Sequence, residues 1–545
     1  MAGLLLRSFL PTVFLLFVCV LALAGLATAR HKKAAQPCVP RKLDGDSVVC
    51  VCNATYCDSL PPVSPTRATN NGSYSLYRST LDGQRFNKTQ GSFSKSHHPS
   101  AASLTLTIAN TTRQNILGFG GAFTDAAGVN ILQLSPPAQD NLLSSYYGPN
   151  GIEYSIGRVN MAGCDFSTHV YTYDDTPGDL KLDHFALTPE DNKMKIPLIQ
   201  RAQALTKTAI RVFASPWSAP GWMKTSGNAS TSGTLKGQAG SDYSKAWAQY
   251  FVKFIQAYEA QNITIWGITA QNEPSDGMIP HFPFNALGFT AATQRDFIAS
   301  DLGPALTAAG LRRVKLMIMD DQRVLLPGWA DTVLSKSRMN WESKSDAADF
   351  VDGIAVHWYA DPITPASVLS KTHDHHPDKF ILSTEACEGS YPWQKKVILG
   401  DWGRAESYAV DIIENLQNWV SGWTDWNLAL NPQGGPNWAN NFVDAPIIVN
   451  NTADELYKQP MFYALGHFSK FLSPDAQILT TDLSGWNLGQ KVMAVAAQRP
   501  DGGVAAVVLN RGDADVQLEI RDQRLGRGRI VENIPKRSLQ TFVWW

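Results

Sequence analysis

Apolar positions along this chain change their spacing twice. Between Thr66 and Thr112 they alternate with polar neighbours, most clearly at Leu104, Leu106 and Ile108, the two-residue period of half-buried strands. From Ile116 the pattern becomes short apolar runs separated by stretches of helical period. The runs are Ile116–Phe119, Tyr154–Met161, Ala209–Ser215, Ile263–Ala270, Val314–Met319, Gly353–Trp358, Phe380–Glu385 and Gly422–Trp426. That is the number of strands that closes a parallel barrel when helices join them. In Ser241–Gln261, residues Trp247, Phe251, Phe254, Ile255 and Tyr258 share one helical stripe and Ser241 is placed to cap it; Glu406–Val420 repeats the pattern through Tyr408, Ile412, Leu416 and Trp419. Met461–Phe471 reads as a closing helix. From about Gln477 alternation returns, in Val492–Ala496, in Val504–Leu509 after an Asp501-Gly502-Gly503 turn, and at Val516, Leu518 and Ile520.

These patterns predict an α/β protein: a (β/α)8 TIM barrel at 114–427 plus 460–476, and a β-sandwich built from both chain ends, 65–113 plus 477–545. A small cysteine-rich β lobe at 30–64 precedes them. The Gly/Pro/Asn-rich excursion after Trp426, within 428–459, is too long for a simple loop, and is expected to return to that lobe or to cover the site. Gly118-Phe-Gly120-Gly121 is not a nucleotide loop, since it lacks both the GxGxxG spacing and a P-loop lysine.

Composition narrows the class. The 545 residues are 44 % hydrophobic and 17 % charged with a formal net charge of −1, which leaves no electrostatic case for nucleic acid. Sixteen tryptophans exceed what a core requires, and flat rings at a pocket rim suit sugar faces. Residues 1–29 read as a signal peptide, with Arg7 before the apolar run Phe14–Leu23 and Ala27-Thr28-Ala29 at the cleavage site. Entry to the secretory pathway gives meaning to the sequons at Asn53, Asn71, Asn87, Asn110, Asn228, Asn262 and Asn450. It also makes Cys38, Cys50, Cys52 and Cys57 a disulfide staple in preference to a zinc site. Of the three connectivities we take Cys38 with Cys50 and Cys52 with Cys57; Cys164 and Cys387 are expected to be free, buried thiols.

Chemistry collects at the ends of the predicted strands, where barrel enzymes place their active sites. Thr269-Ala-Gln-Asn-Glu-Pro274 ends one strand with Asn272 and Glu273, and Leu382-Ser-Thr-Glu385 ends another with a second carboxylate. Two glutamates on different strands are what a retaining glycosidase needs, one as acid/base and one as nucleophile. Asp125, Arg158 with Asp165, Trp217, Asp320 with Asp321, His357 with Tyr359, and Trp426 stand at corresponding positions and suit a polyol pocket. Any one of them alone has a structural explanation, as an ion pair, core indole or satisfied histidine. Glu385 must stay ionised, and Arg158 is the expected partner. Like charge from Glu385 is expected to raise the pKa of Glu273, so that it keeps its proton.

Several long motifs resemble the lysosomal acid β-glucosidases, the glucocerebrosidases. They are the two glutamate motifs, extended to Cys387, with Gly422-Trp-Thr-Asp-Trp-Asn-Leu-Ala-Leu-Asn-Pro432, Gly434-Gly-Pro-Asn-Trp438, Lys458-Gln-Pro-Met-Phe462 and Val49-Cys-Val-Cys-Asn-Ala-Thr-Tyr-Cys-Asp58. The resemblance covers nearly the whole mature chain. It implies a retaining β-glucosidase on a (β/α)8 barrel with an Ig-like sandwich, in which Glu273 is the acid/base and Glu385 the nucleophile. Asp165, Trp217, Asn272, Trp426 and Asn441 would form the glucose pocket, and Arg158, His357 and Tyr359 the shell around the nucleophile. It further implies glucosylceramide as substrate at the lysosomal membrane, a saposin-type activator, acidic lipids and a sorting receptor as partners, and neither cofactor nor metal.

Two stretches depart from that pattern, Ser275–Phe284, where Phe282 replaces an expected tyrosine, and Glu388–Trp393; both bear on the aglycone and activator rather than on the glucose chemistry. Arg521, Arg524, Arg527, Arg529, Lys536 and Arg537 read as a solvated hairpin before they read as a patch for anionic lipid. The competing functions are a polysaccharide-directed β-glycanase on the same barrel and a non-catalytic glycolipid carrier.

Overall fold

A computed structural model of the chain describes residues 35–63, 72–94, 103–336, 345–487, 489, 491–525 and 528–545. The targeting segment, Asn71 and Arg527 lie outside them. The amino-terminal lobe begins with β1 (Pro40–Lys42) and β2 (Val48–Asn53), tied by the disulfides Cys38–Cys50 and Cys52–Cys57; Cys164 and Cys387 are free and buried. Three further strands follow, β3 (Ser73–Thr80), β4 (Asn87–Ser92) and β5 (Leu104–Asn115).

The barrel strands are β6 (Gly118–Ala122), β7 (Ile156–Met161), β8 (Arg211–Pro216), β9 (Ile265–Thr269), β10 (Lys315–Gln322), β11 (Gly353–His357), β12 (Phe380–Glu385) and β13 (Val420–Asn427), paired in parallel and closed β13 to β6. The expected helical segments surround them. They are α1 (Asp125–Leu132) and α2 (Pro136–Tyr147), α3 (Ile196–Leu205), α4 (Asp242–Glu259), α5 (Ala291–Phe297) and α6 (Gly303–Ala308), α7 (Gly328–Val333), α8 (Ser367–His375), α9 (Trp402–Gln417) and the closing α10 (Pro460–Ser469). In α4 the Ser241 side chain accepts from the Ser244 amide, and the stripe from Trp247 to Tyr258 is buried as its spacing requires. Helix α9 starts and stops earlier than the periodicity of 406–420 suggests. Asp401 caps it by accepting from the Arg404 amide at 3.0 Å, and Trp419 turns the chain at φ +71° into β13.

After β13 the excursion supplies β14 (Ile447–Asn450) and β15 (Glu455–Lys458), and β15 pairs with β2, so the lobe is a four-stranded sheet in the order β1-β2-β15-β14. The last strands, β16 (Gln477–Gly485), β17 (Val492–Gln498), β18 (Val504–Asn510), β19 (Val516–Asp522), β20 (Arg529–Ile534) and β21 (Ser538–Trp544), join β3–β5 in the order β20-β19-β5-β16-β17-β18-β21-β3-β4. Backbone bonds between Ser94 and Arg529 bring the two ends of this sheet together, folding it into a sandwich around Leu76, Leu106, Val508, Leu518 and Phe542. Four of the arginines expected to line its hairpins are paired with carboxylates. Arg521 and Arg529 share Glu519, Arg524 pairs with Asp522, and Arg537 pairs with Glu406. No described helix is long and apolar enough to cross a membrane.

Candidate active site

Side chains along a strand alternate between its two faces, so residues two apart share the barrel interior. Low in that interior, Ile156, Phe213, Met317, Ala355 and Leu382 form an apolar cluster of their own. Two positions on, the same strands present Arg158, Ser215, His357 and Thr384, and β9 presents Thr269. On β10 the matching residue is Asp320, three positions on instead of two. A bulge there, with φ of +68° at Met319 and +57° at Asp320, re-aims the side chain inward.

Asp320 is the hub of this polar layer. It accepts from Ser215 Oγ at 2.9 Å, Thr269 Oγ1 at 2.7 Å, Thr384 Oγ1 at 2.6 Å and Arg158 Nη2 at 3.0 Å, and His357 Nε2 lies 3.0 Å away. Burial works against its ionisation, but the Arg158 and His357 charges outweigh that and hold its carboxyl far below the ordinary range. The Arg158 guanidinium also donates to Glu385 through Nη1 and to Asn272 Oδ1 at 2.7 Å through Nη2, beneath the stacked indoles of Trp217 and Trp426. The expected Arg158–Glu385 partnership is therefore present, whereas Arg158 makes no pair with Asp165.

Glu385 ends β12, and the Tyr359 hydroxyl donates to its Oε1 at 2.9 Å. Glu273 follows β9 at φ +38°, with its amide donating to the Asp320 carbonyl at 2.8 Å. Its side chain accepts from Gln322 Nε2 at 2.9 Å and meets His357 Nδ1 at 3.0 Å. Oxygens of Glu273 and Glu385 lie within 4.8 Å of each other, matching the carboxyl spacing of about 5 Å used for direct attack on a sugar.

The expected upward shift of Glu273 needs correction. Burial does push it up, but the hydrogen bond and charge of His357 outweigh that and bring it below its ordinary value. His357 itself would be lowered by burial; the charges of Glu385 and Asp320 reverse this and raise it well above the imidazole range. Asp276, whose amide donates to the Glu273 carbonyl at 3.0 Å, is pushed up to about 10, first by burial and then by the Glu273 and Asp321 charges. Glu385 is raised by burial, against the pull of Arg158.

The cavity above the two glutamates measures about 200 Å³. Asp165, Trp217, Trp426 and Asn441 line it as expected, with Tyr359. Asn437 and Asn441, from the excursion, donate to Asp165 Oδ2 at 3.2 and 3.0 Å, and burial carries the Asp165 carboxyl up to about 7. Asn272 is not among the lining residues. Phe284 and Tyr391 are, from the two stretches that depart from the family pattern. A larger cavity of about 560 Å³ shares Cys387, Ser390 and Tyr391 with it. Asp125 belongs to a separate buried network with Ser167, Tyr171 and Lys195. Glu273, His357 and Glu385 have donor atoms close enough for a metal ion, but these already bind one another, Arg158 and Tyr359, and the guanidinium opposes a second cation.

Residues 116–472 match the glycosyl hydrolase family 30 TIM-barrel domain and residues 478–542 the family 30 beta sandwich domain. The chain belongs to glycosyl hydrolase family 30. It is 49 % identical over 511 residues to the mouse lysosomal acid glucosylceramidase, covering 94 % of this chain and 96 % of that one. A putative glucosylceramidase 3 from Caenorhabditis elegans is 46 % identical over 93 % and 95 % of the two chains. Among solved structures, SrfJ from Salmonella typhimurium superposes with a TM-score of 0.75 at 26 % identity, covering 87 % of this chain and 99 % of SrfJ. Family 30 membership makes this a retaining glycoside hydrolase, in agreement with the resemblance read from the motifs.

Proposed function

We propose that this family 30 enzyme is a glucosylceramidase, releasing glucose from glucosylceramide by double displacement, with Glu385 as nucleophile and Glu273 as acid/base. The observation that carries the assignment is the pair of carboxylates within 4.8 Å across one small cavity, with Arg158 and Tyr359 both donating to Glu385. Those donors favour the ionised nucleophile. Glu273, as the general acid, gives its proton to the leaving-group oxygen. When the glucosyl ester forms, Glu385 loses its charge and Glu273 takes the proton of the incoming water. Asp165 and Asn441 offer hydroxyl partners, and Trp217 and Trp426 a flat apolar wall.

Retention of both glutamates argues against a carrier. The extent of identity with glucosylceramidases, and a compact cavity, favour a glucoside over a polysaccharide. A lipid substrate also suits the rim. The loops after four successive strands, β9 to β12, expose Met278 and Ile279, Val324, Ile363 and Trp393. This reading places the enzyme in the lysosomal lumen, peripheral to the membrane, with an activator protein and acidic lipid as partners. Of the described sequons, Asn87, Asn110, Asn228 and Asn262 are exposed. The deciding experiment is inactivation by a cyclitol epoxide followed by peptide mapping. The label is expected on Glu385, and a label elsewhere would remove the assignment.

A further inference from the structure

On the helical shell of the barrel, away from the carboxylates of the mouth, two imidazoles converge on one carboxylate oxygen. Helix α8 runs into His373-Asp374-His375-His376-Pro377, and α7 carries Asp331. His375 Nδ1 lies 2.9 Å and His376 Nε2 2.8 Å from the same atom, Asp331 Oδ1, and all three donors fall within 4.8 Å of one another.

Neighbouring residues of a helix point in different directions and do not normally share a partner. Here they do because the helix ends between them. His375 is its last residue, and His376 leaves helical conformation at φ −134°, ψ 64°, which swings its ring to the same side. The rings then use different nitrogens, Nδ1 on one and Nε2 on the other. Two nitrogen vectors aimed at one point are more than a single carboxylate needs, and they are the arrangement a small cation requires.

The donor set is N, N and O. Imidazole with carboxylate suits Zn2+ and its neighbours, whereas Mg2+ and Ca2+ prefer oxygen alone. At metal–ligand distances of about 2.0–2.2 Å, tetrahedral donors stand roughly 3.3 Å apart, so the two nitrogen–oxygen separations of 2.9 and 2.8 Å need to open by only about half an ångström. The side chains are free to do so, being 41 % (Asp331), 40 % (His375) and 18 % (His376) exposed. That exposure also leaves the remaining coordination position to water.

We propose that Asp331, His375 and His376 bind one borderline divalent metal ion, Zn2+ foremost, clipping together the helices that follow β10 and β11. The clip joins positions 44 residues apart in the chain, so it would restrict the unfolded ensemble as well as add bonds to the folded one.

The test uses the full, tag-free protein, stripped with a chelator and titrated at neutral pH with Zn2+ by calorimetry and with Co2+ by absorption. One ion per chain is expected, with visible Co2+ d–d bands and a higher melting temperature in Zn2+ but not in Mg2+. His375→Ala and Asp331→Asn should each weaken binding by more than about tenfold, since even outer partners of metal ligands are worth that much. Asp374→Asn, on the same turn, should bind as the parent does, and each variant's hydrolysis of an aryl β-glucoside reports that it has folded. Failure of the parent to bind either ion, or binding that survives intact in both ligand variants, overturns the proposal.

Discussion

The barrel interior holds two layers two residues apart on the same strands, three on the bulged β10, and they follow opposite rules. The lower one, Ile156, Phe213, Met317, Ala355 and Leu382, is apolar and is held by packing. The upper one buries Arg158, Asp320 and His357 together, each almost free of solvent contact. Desolvating those charges costs free energy that only their mutual bonds offset, so the upper layer is retained for what it does to Glu385 and Glu273, not as the cheapest way to fill the barrel. One strand can serve both ends because alternation repeats whatever the residue type.

The sharpest break between the layers comes from the mouth itself. Glu385→Gln is expected to lower kcat on an aryl β-glucoside on the order of 10⁴-fold with little change in melting temperature. Glu273→Gln should cost about 10²–10⁴-fold on glucosides with poor leaving groups and much less on activated ones, which a leaving-group series measures directly. Asp320→Ala removes one partner of a buried charge cluster. It should lose about 3–5 kcal/mol in denaturant unfolding as well as activity, because buried Arg158 and His357 lose the counter-charge they share. Leu382→Ala, in the floor, should lose about 2–5 kcal/mol and leave kcat of the folded fraction unchanged. A floor variant that lost kcat at full stability would erase the distinction.

The smallest effect is on pH dependence. Asp320 lies below its unfolded pKa, so its contribution is present above the ordinary carboxylate range and fades as pH falls. His357 lies above its unfolded value, so its contribution is complete below about pH 6.5 and fades as pH rises through the folded pKa. The layer is therefore best held in mild acid, the condition of a lysosomal lumen. The denaturant midpoint should fall toward alkaline pH in the parent, and that decline should be missing in His357→Gln.

Much of this was legible in the chain because barrel strands are short, apolar and separated by capped helices. The predicted run Phe380–Glu385 coincides with β12, and Ser241 caps α4 as its spacing suggests. Glu273 and Glu385 were visible because each closes such a run. The bulge at Met319–Asp320 was not, since nothing in the residue order Ile-Met-Asp-Asp marks which aspartate turns inward. Asp276 and Phe284 were missed as contributors because they come from loops, where no period says which side chain faces the cavity, and Gln322 because it lies beyond the β10 bulge that shifts the alternation. The pKa of Glu273 depends on a histidine 84 positions away, a proximity that only the folded chain creates.

The curled sheet has a temporal side. Its final strand, β21, is inserted between β18 and β3, so an early segment waits for almost the whole polypeptide before it gains its neighbour. At ribosomal rates of roughly 5–20 residues per second, that wait lasts tens of seconds, during which β3 offers an unpaired edge. A premature stop that removed only the last strand would therefore open a gap in the middle of the sandwich rather than trim its border.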